Sequence, residues 1–483
     1  MRFYLCRLAL IFLTLTVSSH GLAQQISQTQ ASEQQGVAQQ APGQAENWGF
    51  PRSWTIYSLD APVFNSKVRI AEVGNPEKPG VLLVHGLGQN GMRDWLPVVP
   101  ALENDYHLIL LDLPGFGGSS GAQGRFSPTN YARVLDTVKN RMFGSQKIAV
   151  IGHSMGGAVA LRYGSMFSQS VERLVLVDAA GILERSAFLN ENAEVRLDIS
   201  SISERLQGFI SSVNDYSGDF ISLINSLPDP TGLVQSDILW GAMFANRPNV
   251  NAAMALVKEN FSSAVFNTQL PTYIIWGGDD RIAPLRTGKL LAAQMPAAEL
   301  NVIANAGHMP MMTNTYDTNV LIRELLIKDK PRAAVDYIPA GGSEVHCQNR
   351  AAQTYEGRYK KIVLENCTGI LLRHVAVEQL IVTGSVVELE DVTINGDQLG
   401  LEAVNSTVTA TNVTITAATT LNVDTSRIDF AGAAIRASET AVSVAGDSQL
   451  IFSISKIDSP YFQGFVHGAF QEQNAVFDSR LRN

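Results

Sequence analysis

The stretch IGHSMGGAV, residues 151–159, sets a serine in the pattern Gly-x-Ser-x-Gly, with a glycine two positions before and two positions after Ser154. The segment QKIAVIG (146–152) that leads into it has the apolar run of a buried strand, and AVALRYGSMF (158–167) continues as a helix. A nucleophile on a sharp strand-to-helix turn needs small neighbours, because the backbone crowds there. We therefore favour Ser154 as a nucleophile over a plain glycine-rich turn.

A serine hydroxyl is a weak nucleophile without a base, so the chain should also supply a histidine and an acid that orients it. His308 fits the base, because it lies in the loop NAGHMP directly after the strand-like segment ELNVIA. The segment WGGDDRIAP offers Asp279 and Asp280 as acids at the end of another strand-like segment. Asp178, which ends the segment LVLVD, is a third candidate.

The tetrahedral intermediate of acyl transfer needs backbone donors for its negatively charged oxygen. One donor should be the N–H of Met155, directly after the nucleophile. The second should come from the loop after LLVHG, where we expect the N–H of Leu87. Losing one such donor typically costs about 3 kcal/mol of transition-state stabilisation.

Strand-like and helix-like segments alternate over residues 47–334, which predicts an α/β domain with a doubly wound, mostly parallel sheet. One interval, residues 182–266, has only helix-like segments, and we interpret it as an inserted helical cap. The predicted strands have the sequences KVRIAEVG, GVLLVHG, YHLILLDLPG, QKIAVIG, VERLVLVD, TYIIWGG and AELNVIA.

Several motifs in this region, taken together and in order, resemble the α/β-hydrolase superfamily in its lipase and esterase branch. The resemblance covers about residues 67–327. It implies an α/β-hydrolase fold with a helical cap, and it assigns the catalytic acid to Asp280, which precedes the arginine in the motif. The motifs are HGLGQNGMRDW (85–95), DLPGFGGSS (112–120), GHSMGG (152–157), LVDAAG (176–181), WGGDDRIAP (276–284) and GHMP (307–310).

The same resemblance implies a serine hydrolase that cleaves carboxylic esters, with a small-molecule ester or lipid as substrate. Related dehalogenases and epoxide hydrolases use aspartate as the nucleophile, so Ser154 argues against those activities. Amide hydrolysis and carbon–carbon bond hydrolysis remain alternatives, because enzymes of this fold share the triad. A different class of function, binding to a cell envelope or polysaccharide through residues 335–483, also remains open.

Residues 335–483 differ in composition from the rest of the chain and contain similar fragments at intervals near 21 residues. Short segments rich in valine, threonine and isoleucine at such a period predict an all-β domain of stacked coils, a parallel β-helix. An ordinary β-sandwich is the alternative. The fragments include IVLENCT at 362, VELEDVT at 387, SRIDF at 426 and SQLIF at 448.

The N-terminus has the pattern of an export signal. Residues 1–23 carry positive charge, then an apolar run, then small residues suited to cleavage, and residues 24–46 form a glutamine-rich segment that we expect to be disordered. We therefore expect an exported protein, periplasmic or secreted, with no transmembrane segment after cleavage. Cys347 and Cys367 would remain, and in an oxidising compartment we expect them to form a disulfide worth about 3 kcal/mol.

The composition argues against several other classes of protein. The formal net charge is −9 and charged residues make up 17% of the chain, which disfavours a nucleic-acid partner. We predict neither a metal site nor a cofactor, since the sequence has no metal-binding cluster, phosphate-binding loop or redox motif.

Overall fold

The computed structural model of the chain describes residues 50–119, 121–184, 187, 247–332 and 342–482. The predicted export signal (1–23), the glutamine-rich segment (24–46) and most of the predicted cap (182–266) lie outside these residues. Of this interval, residues 182–184, 187 and 247–266 are described, and residues 247–266 are helical for most of their length.

The N-terminal region is built on an eight-stranded sheet, and all seven predicted strands are present in it. The eight strands, β1 to β8, have the spatial order β1-β2-β4-β3-β5-β6-β7-β8. Pairing is parallel from β4 to β8 along this order, whereas β2 is antiparallel to both β1 and β4. The strands are β1 (Thr55–Ala61), β2 (Ser66–Val73), β3 (Gly80–Val84), β4 (His107–Asp112), β5 (Ile148–His153), β6 (Val171–Val177), β7 (Thr272–Gly277) and β8 (Ala298–Ile303).

Helices join and cover these strands, as the alternating pattern predicts for an α/β fold. In the described residues they are α1 (Val99–Leu102), α2 (Pro128–Phe143), α3 (Met155–Met166), α4 (Pro248–Leu256), α5 (Ser262–Asn267), α6 (Leu285–Gln294), α7 (Pro310–Thr313) and α8 (Thr315–Ile327), with short 3-10 turns at Pro62–Phe64, Gly91–Trp95 and Ser168–Ser170. Every residue of β3, β4, β5 and β7 is buried, which explains their continuous apolar sequences.

The strand order places the candidate site. Going along the chain, β4 lies on one side of β3 and β5 lies on the other side, so the direction of winding reverses at β3. In open α/β sheets, ligands bind outside the carboxyl ends of the strands at such a reversal. The loop after β3 and the turn after β5 both begin there, and they contain Leu87 and Ser154 respectively.

The C-terminal region is an all-β stack of coils, as predicted. Successive strands pair in parallel, and the last strand, β17, turns back antiparallel on β16. The strands are β9 (Glu344–Gln348), β10 (Thr354–Glu365), β11 (Thr368–Thr383), β12 (Val386–Asn395), β13 (Leu399–Val404), β14 (Thr407–Asp424), β15 (Arg427–Ala431), β16 (Ala434–Asp458) and β17 (Gln463–Val476), followed by helix α9 (Phe477–Arg480). We call residues 344–480 the solenoid.

The repeat drawn from the sequence is correct in the later coils and wrong in the first. Val386 pairs with Thr407 and Thr407 pairs with Arg427, at spacings close to those of the fragments. The fragment at Ile362, however, pairs with Leu380 and not with the fragment at Val387. The early coils are shorter than the later ones, so matching sequences by their valine and leucine content slips the register there.

A column of serines fixes the register at one corner of the solenoid. The hydroxyl of each serine accepts a hydrogen bond from the backbone N–H of the residue at the same place in the preceding coil, at 2.9–3.1 Å. The serines are Ser385, Ser406, Ser426 and Ser448. These serine hydroxyls satisfy buried backbone donors at a corner where the strand pairing is interrupted.

Inside the stack, the rings of Phe430 and Phe452 lie one above the other with centroids 5.4 Å apart.

The solenoid packs directly on the N-terminal region, within the single compact unit formed by Arg52–Asn483. The buried guanidinium of Arg286 on α6 forms a bidentate ion pair with Asp429 of β15, at 3.2 and 3.3 Å. The rings of Phe266 and Phe465 stack with centroids 4.5 Å apart. Ile451 and Ile454 of the solenoid belong to the same apolar core as the sheet and its helices.

The expected disulfide is present. Cys347 in β9 is bonded to Cys367, which lies between β10 and β11, with Cα atoms 6.6 Å apart. Within the described ranges, no helix is both long enough and apolar enough to span a membrane.

Candidate active site

Ser154 lies on a strained turn between β5 and α3. Its φ is +54° and its ψ is −121°, a conformation that L-residues rarely adopt. The turn is tied to the sheet: the N–H of Ser154 donates to Val177 O at 2.9 Å, and the carbonyl of Ser154 accepts from the N–H groups of Gly157 and Ala180. These bonds hold the side chain above the carboxyl end of the sheet.

The two glycines of the motif are required by close backbone contacts. A methyl group added at Gly152 would lie 2.1 Å from the carbonyl oxygen of Gly156, and one added at Gly156 would lie 2.3 Å from Val84 O. No side chain fits at either distance. The spacing that singled out Ser154 in the sequence therefore has a steric cause.

The structure brings Ser154, His308 and Asp280 together. The Ser154 hydroxyl donates to His308 Nε2 at 2.8 Å, and His308 Nδ1 donates to Asp280 Oδ2 at 2.8 Å. The remaining oxygen of Asp280 accepts from the N–H groups of Ile282 and Ala283, at 2.8 and 3.0 Å. The Asp280 side chain is fully buried and that of His308 is 10% exposed.

The other two candidate acids occupy different positions. Asp279 is exposed, and its backbone N–H donates to Ala306 O. Asp178 is buried at the end of β6, and its Oδ1 accepts from the N–H of Gly277 at 2.8 Å. Burial, followed by the charge of Asp280, raises the pKa of Asp178 well above its usual range. Only Asp280 of the three is hydrogen-bonded to His308.

The two predicted oxyanion donors belong to segments that meet near the serine. Met155 is the first residue of α3, and N–H groups in the first turn of a helix have no partner within the helix. Leu87 follows Gly86, which is so close to the turn that an added methyl group would lie 3.1 Å from Ser154 Cβ. The segments that contain the two predicted donors thus follow the ends of β3 and β5, and the role of these N–H groups stays a prediction.

His153 also contacts the site, a role that the sequence did not reveal. Its Nε2 donates to the backbone carbonyl of His308 at 2.7 Å, and the two rings are 5.1 Å apart. Burial, followed by the charge of His308, lowers the pKa of His153 to about 3. The ring is therefore neutral at neutral pH and holds the His308 backbone through a fixed N–H donor. Its position directly before the serine is the only sequence signal for this contact.

This arrangement can perform acyl transfer. The base is within hydrogen-bond reach of the hydroxyl and is itself oriented by a buried carboxylate, which is the geometry that activates a serine. Among the described residues, no group of three or more His, Cys, Asp or Glu side chains could hold a metal ion.

Comparisons with known proteins show that the chain is similar to hydrolases. Residues 81–317 match the model of the alpha/beta hydrolase family. Lipase 1 of Psychrobacter immobilis is 27% identical over 284 residues, which cover 57% of this chain and 84% of that protein. The 2-hydroxy-6-oxononadienedioate/2-hydroxy-6-oxononatrienedioate hydrolase of a Pseudomonas species is 25% identical over 289 residues, covering 55% and 93%. A crystal structure of a hydrolase from Pseudomonas aeruginosa aligns with 58% of this chain and all of its own, at 18% identity and a TM-score of 0.42.

Proposed function

Because residues 81–317 belong to the α/β-hydrolase superfamily and the chain is thus a hydrolase, we propose that it is a serine hydrolase that cleaves carboxylic esters through an acyl-enzyme. The single observation that carries the proposal is the unbroken chain of hydrogen bonds from the Ser154 hydroxyl through His308 to Asp280. The similarity to a protein named lipase supports an ester as the substrate.

The proposed reaction has two halves. In the first, Ser154 Oγ attacks the ester carbonyl while His308 Nε2 takes the hydroxyl proton, and the backbone N–H groups of Met155 and Leu87 stabilise the oxyanion. The intermediate then collapses, and the alcohol leaves with the proton from His308. In the second half, His308 takes a proton from water, the hydroxide attacks the acyl-enzyme, and the acid is released as Ser154 regains its proton. Asp280 stabilises the imidazolium in both halves.

Carbon–carbon bond hydrolysis is the second candidate, and one observation favours it: the similarity to a hydrolase named for 2-hydroxy-6-oxo dienedioate and trienedioate substrates. The same triad serves both reactions, so the substrate must decide between them. Amide hydrolysis is tested in the same experiment.

We expect the purified protein to hydrolyse p-nitrophenyl esters, with a rate that depends on acyl chain length. A series from acetate to palmitate should be measured beside p-nitroanilides and a vinylogous 1,5-diketone, all at equal concentration. The ester with the best kcat/KM should exceed the best amide and the diketone by at least about 100-fold, a difference in transition-state binding of nearly 3 kcal/mol. A diketone turned over faster than every ester would contradict the proposal and favour carbon–carbon bond hydrolysis.

We also propose that the protein is exported, because residues 1–23 have the pattern of an export signal and the disulfide between Cys347 and Cys367 suits an oxidising compartment. Expression in a bacterial host with a secretion pathway should yield a mature protein that begins at Gln24. Mass spectrometry of the periplasmic fraction and the medium, beside the cytoplasmic fraction, tests this. An uncleaved chain confined to the cytoplasm would contradict it.

A further inference from the structure

A second carboxyl group lies directly behind the catalytic acid. Asp178 ends β6, is completely buried, and is held by two backbone contacts: its own N–H donates to Ile275 O, and its Oδ1 accepts from the N–H of Gly277. Asp280 is tied to the same residue, because its own N–H donates to the carbonyl of Gly277 at 3.2 Å, and the charge of Asp280 acts on the Asp178 carboxyl group. The proposed reaction assigns Asp178 no role.

Two ionised carboxylates in one buried site repel each other, so ionising both costs free energy. Asp280 already accepts from His308 and from two backbone N–H groups, which favours its charged form. Asp178 accepts one backbone N–H, and within the described part of the chain its Oδ2 is buried with no donor in reach. The charge of the neighbouring Asp280 opposes the ionisation of Asp178. A proton on Oδ2 would remove the repulsion and give this atom a partner.

We propose that Asp178 is a neutral carboxylic acid whose proton is donated to the Asp280 carboxylate, which makes Asp178 a positioning residue for the catalytic acid. This role rests on the proposed function, in which Asp280 orients His308. The pair then carries a single negative charge, located on the member that contacts the histidine. The raised pKa of Asp178 agrees with this distribution of the proton.

The backbone at this position makes the test practical. Asp178 has a φ of +45°, in the left-handed region that asparagine tolerates about as well as aspartate. Asparagine also matches the proposed state of the side chain, because its amide offers an N–H to Asp280 and an oxygen to the Gly277 N–H. Alanine offers neither. Asp279→Asn, at the exposed neighbour of Asp280, is a matched control for changes in surface charge.

We expect Asp178→Ala to lower kcat by about 10- to 100-fold with little change in KM, because a charge-assisted hydrogen bond to a buried carboxylate is lost. Asp178→Asn should restore kcat to within about threefold of the wild-type protein. If Asp178 were needed in its ionised form, Asp178→Asn would be as impaired as Asp178→Ala, and this result would overturn the proposal.

The pH profile supplies a readout that a purely structural role would not move. With Asp178 neutral, Asp178→Asn leaves the acid-side midpoint of kcat/KM where it is in the wild-type protein. With Asp178 ionised, removing its negative charge from beside the His308–Asp280 pair would shift that midpoint down by about 1 pH unit or more. A downward shift of that size therefore rejects the neutral carboxyl.

Infrared difference spectroscopy decides the protonation state without any substrate. At pH 8, the wild-type spectrum minus the Asp178→Asn spectrum should contain the carbonyl stretch of a carboxylic acid. Its absence, in two folded proteins, would refute the inference. Because the band does not depend on turnover, it separates a failure of this inference from a failure of the proposed ester hydrolysis.

Discussion

Replacing Ser154 with alanine is expected to lower kcat on p-nitrophenyl esters by about 10⁴- to 10⁶-fold while the fold is retained. The loss is large because, among the described residues, Ser154 has the one hydroxyl that is hydrogen-bonded to His308, and without it the acyl-enzyme does not form. Alanine adds no atoms to the tight turn between β5 and α3, and the backbone bonds to Val177 and Ala180 do not involve the serine side chain. Circular dichroism and thermal unfolding should match those of the wild-type protein.

Covalent labelling makes this experiment independent of substrate choice. A fluorophosphonate should add to the peptide that contains Ser154 in the wild-type protein and should not add to the alanine variant, as read by mass spectrometry. Ser168→Ala, at an exposed serine between α3 and β6, is the control and should behave as the wild-type protein does. Ester turnover by the Ser154 variant within tenfold of wild type would assign the chemistry to another residue.

Replacing Asp429 with alanine is expected to destabilise the protein by about 3–5 kcal/mol, the usual effect of leaving one member of a buried ion pair without its partner. The guanidinium of Arg286 is 9% exposed, and both of its bonds to Asp429 would be lost. Its 3.3 Å contact with Ala410 O does not involve Asp429 and would not replace the lost carboxylate. Urea denaturation followed by circular dichroism measures the change in the free energy of unfolding.

Two further variants test whether the loss of stability comes from leaving a buried charge unpaired. The pair Arg286→Met with Asp429→Leu removes both charges and should recover most of the lost stability, since apolar replacement of a buried pair is often neutral. Asp60→Ala breaks the exposed contact with Lys67 and should change stability by less than about 1 kcal/mol. A loss of less than 1 kcal/mol in Asp429→Ala would show that the solenoid does not depend on this pair for docking.

The docked face also limits what the solenoid can bind. A cell-envelope or polysaccharide contact through residues 335–483 stays a prediction, and such a contact has to use a face other than the one on α6. The helix begins five residues after Asp280, so the solenoid packs on the segment that leads out of the catalytic acid loop. Deleting the solenoid would expose the core positions now filled by Ile451 and Ile454.

The candidate site was largely predictable because its signals are local. The glycines around Ser154 are dictated by backbone distances within one turn, and they appear in the sequence at a fixed spacing. The catalytic acid could not be predicted from the residues alone. Asp178, Asp279 and Asp280 all remained candidates, and the family resemblance selected Asp280. Which aspartate is buried beside His308 depends on how two loops meet, and no local pattern records that.

Long-range contacts explain most of what the sequence did not predict. Arg286 and Asp429 are 143 positions apart, and neither stands in a motif that would link the two regions. The sequence analysis did not predict strand β1, because six of its seven residues are exposed or half-buried at the sheet edge and four of these are polar or aromatic. The first coils of the solenoid were misaligned because their length differs from that of the later ones.

The two ends of the solenoid are protected in different ways. At one end, β17 folds back over β16. At the other, β9 is the outermost strand of the described sheet, and only five residue pairs attach it to the longer β10. An uncovered strand edge is a template for pairing with another molecule. The bond between Cys347 and Cys367 ties this short outer strand to the corner between β10 and β11, so β9 cannot separate from the edge of β10 while the bond is intact.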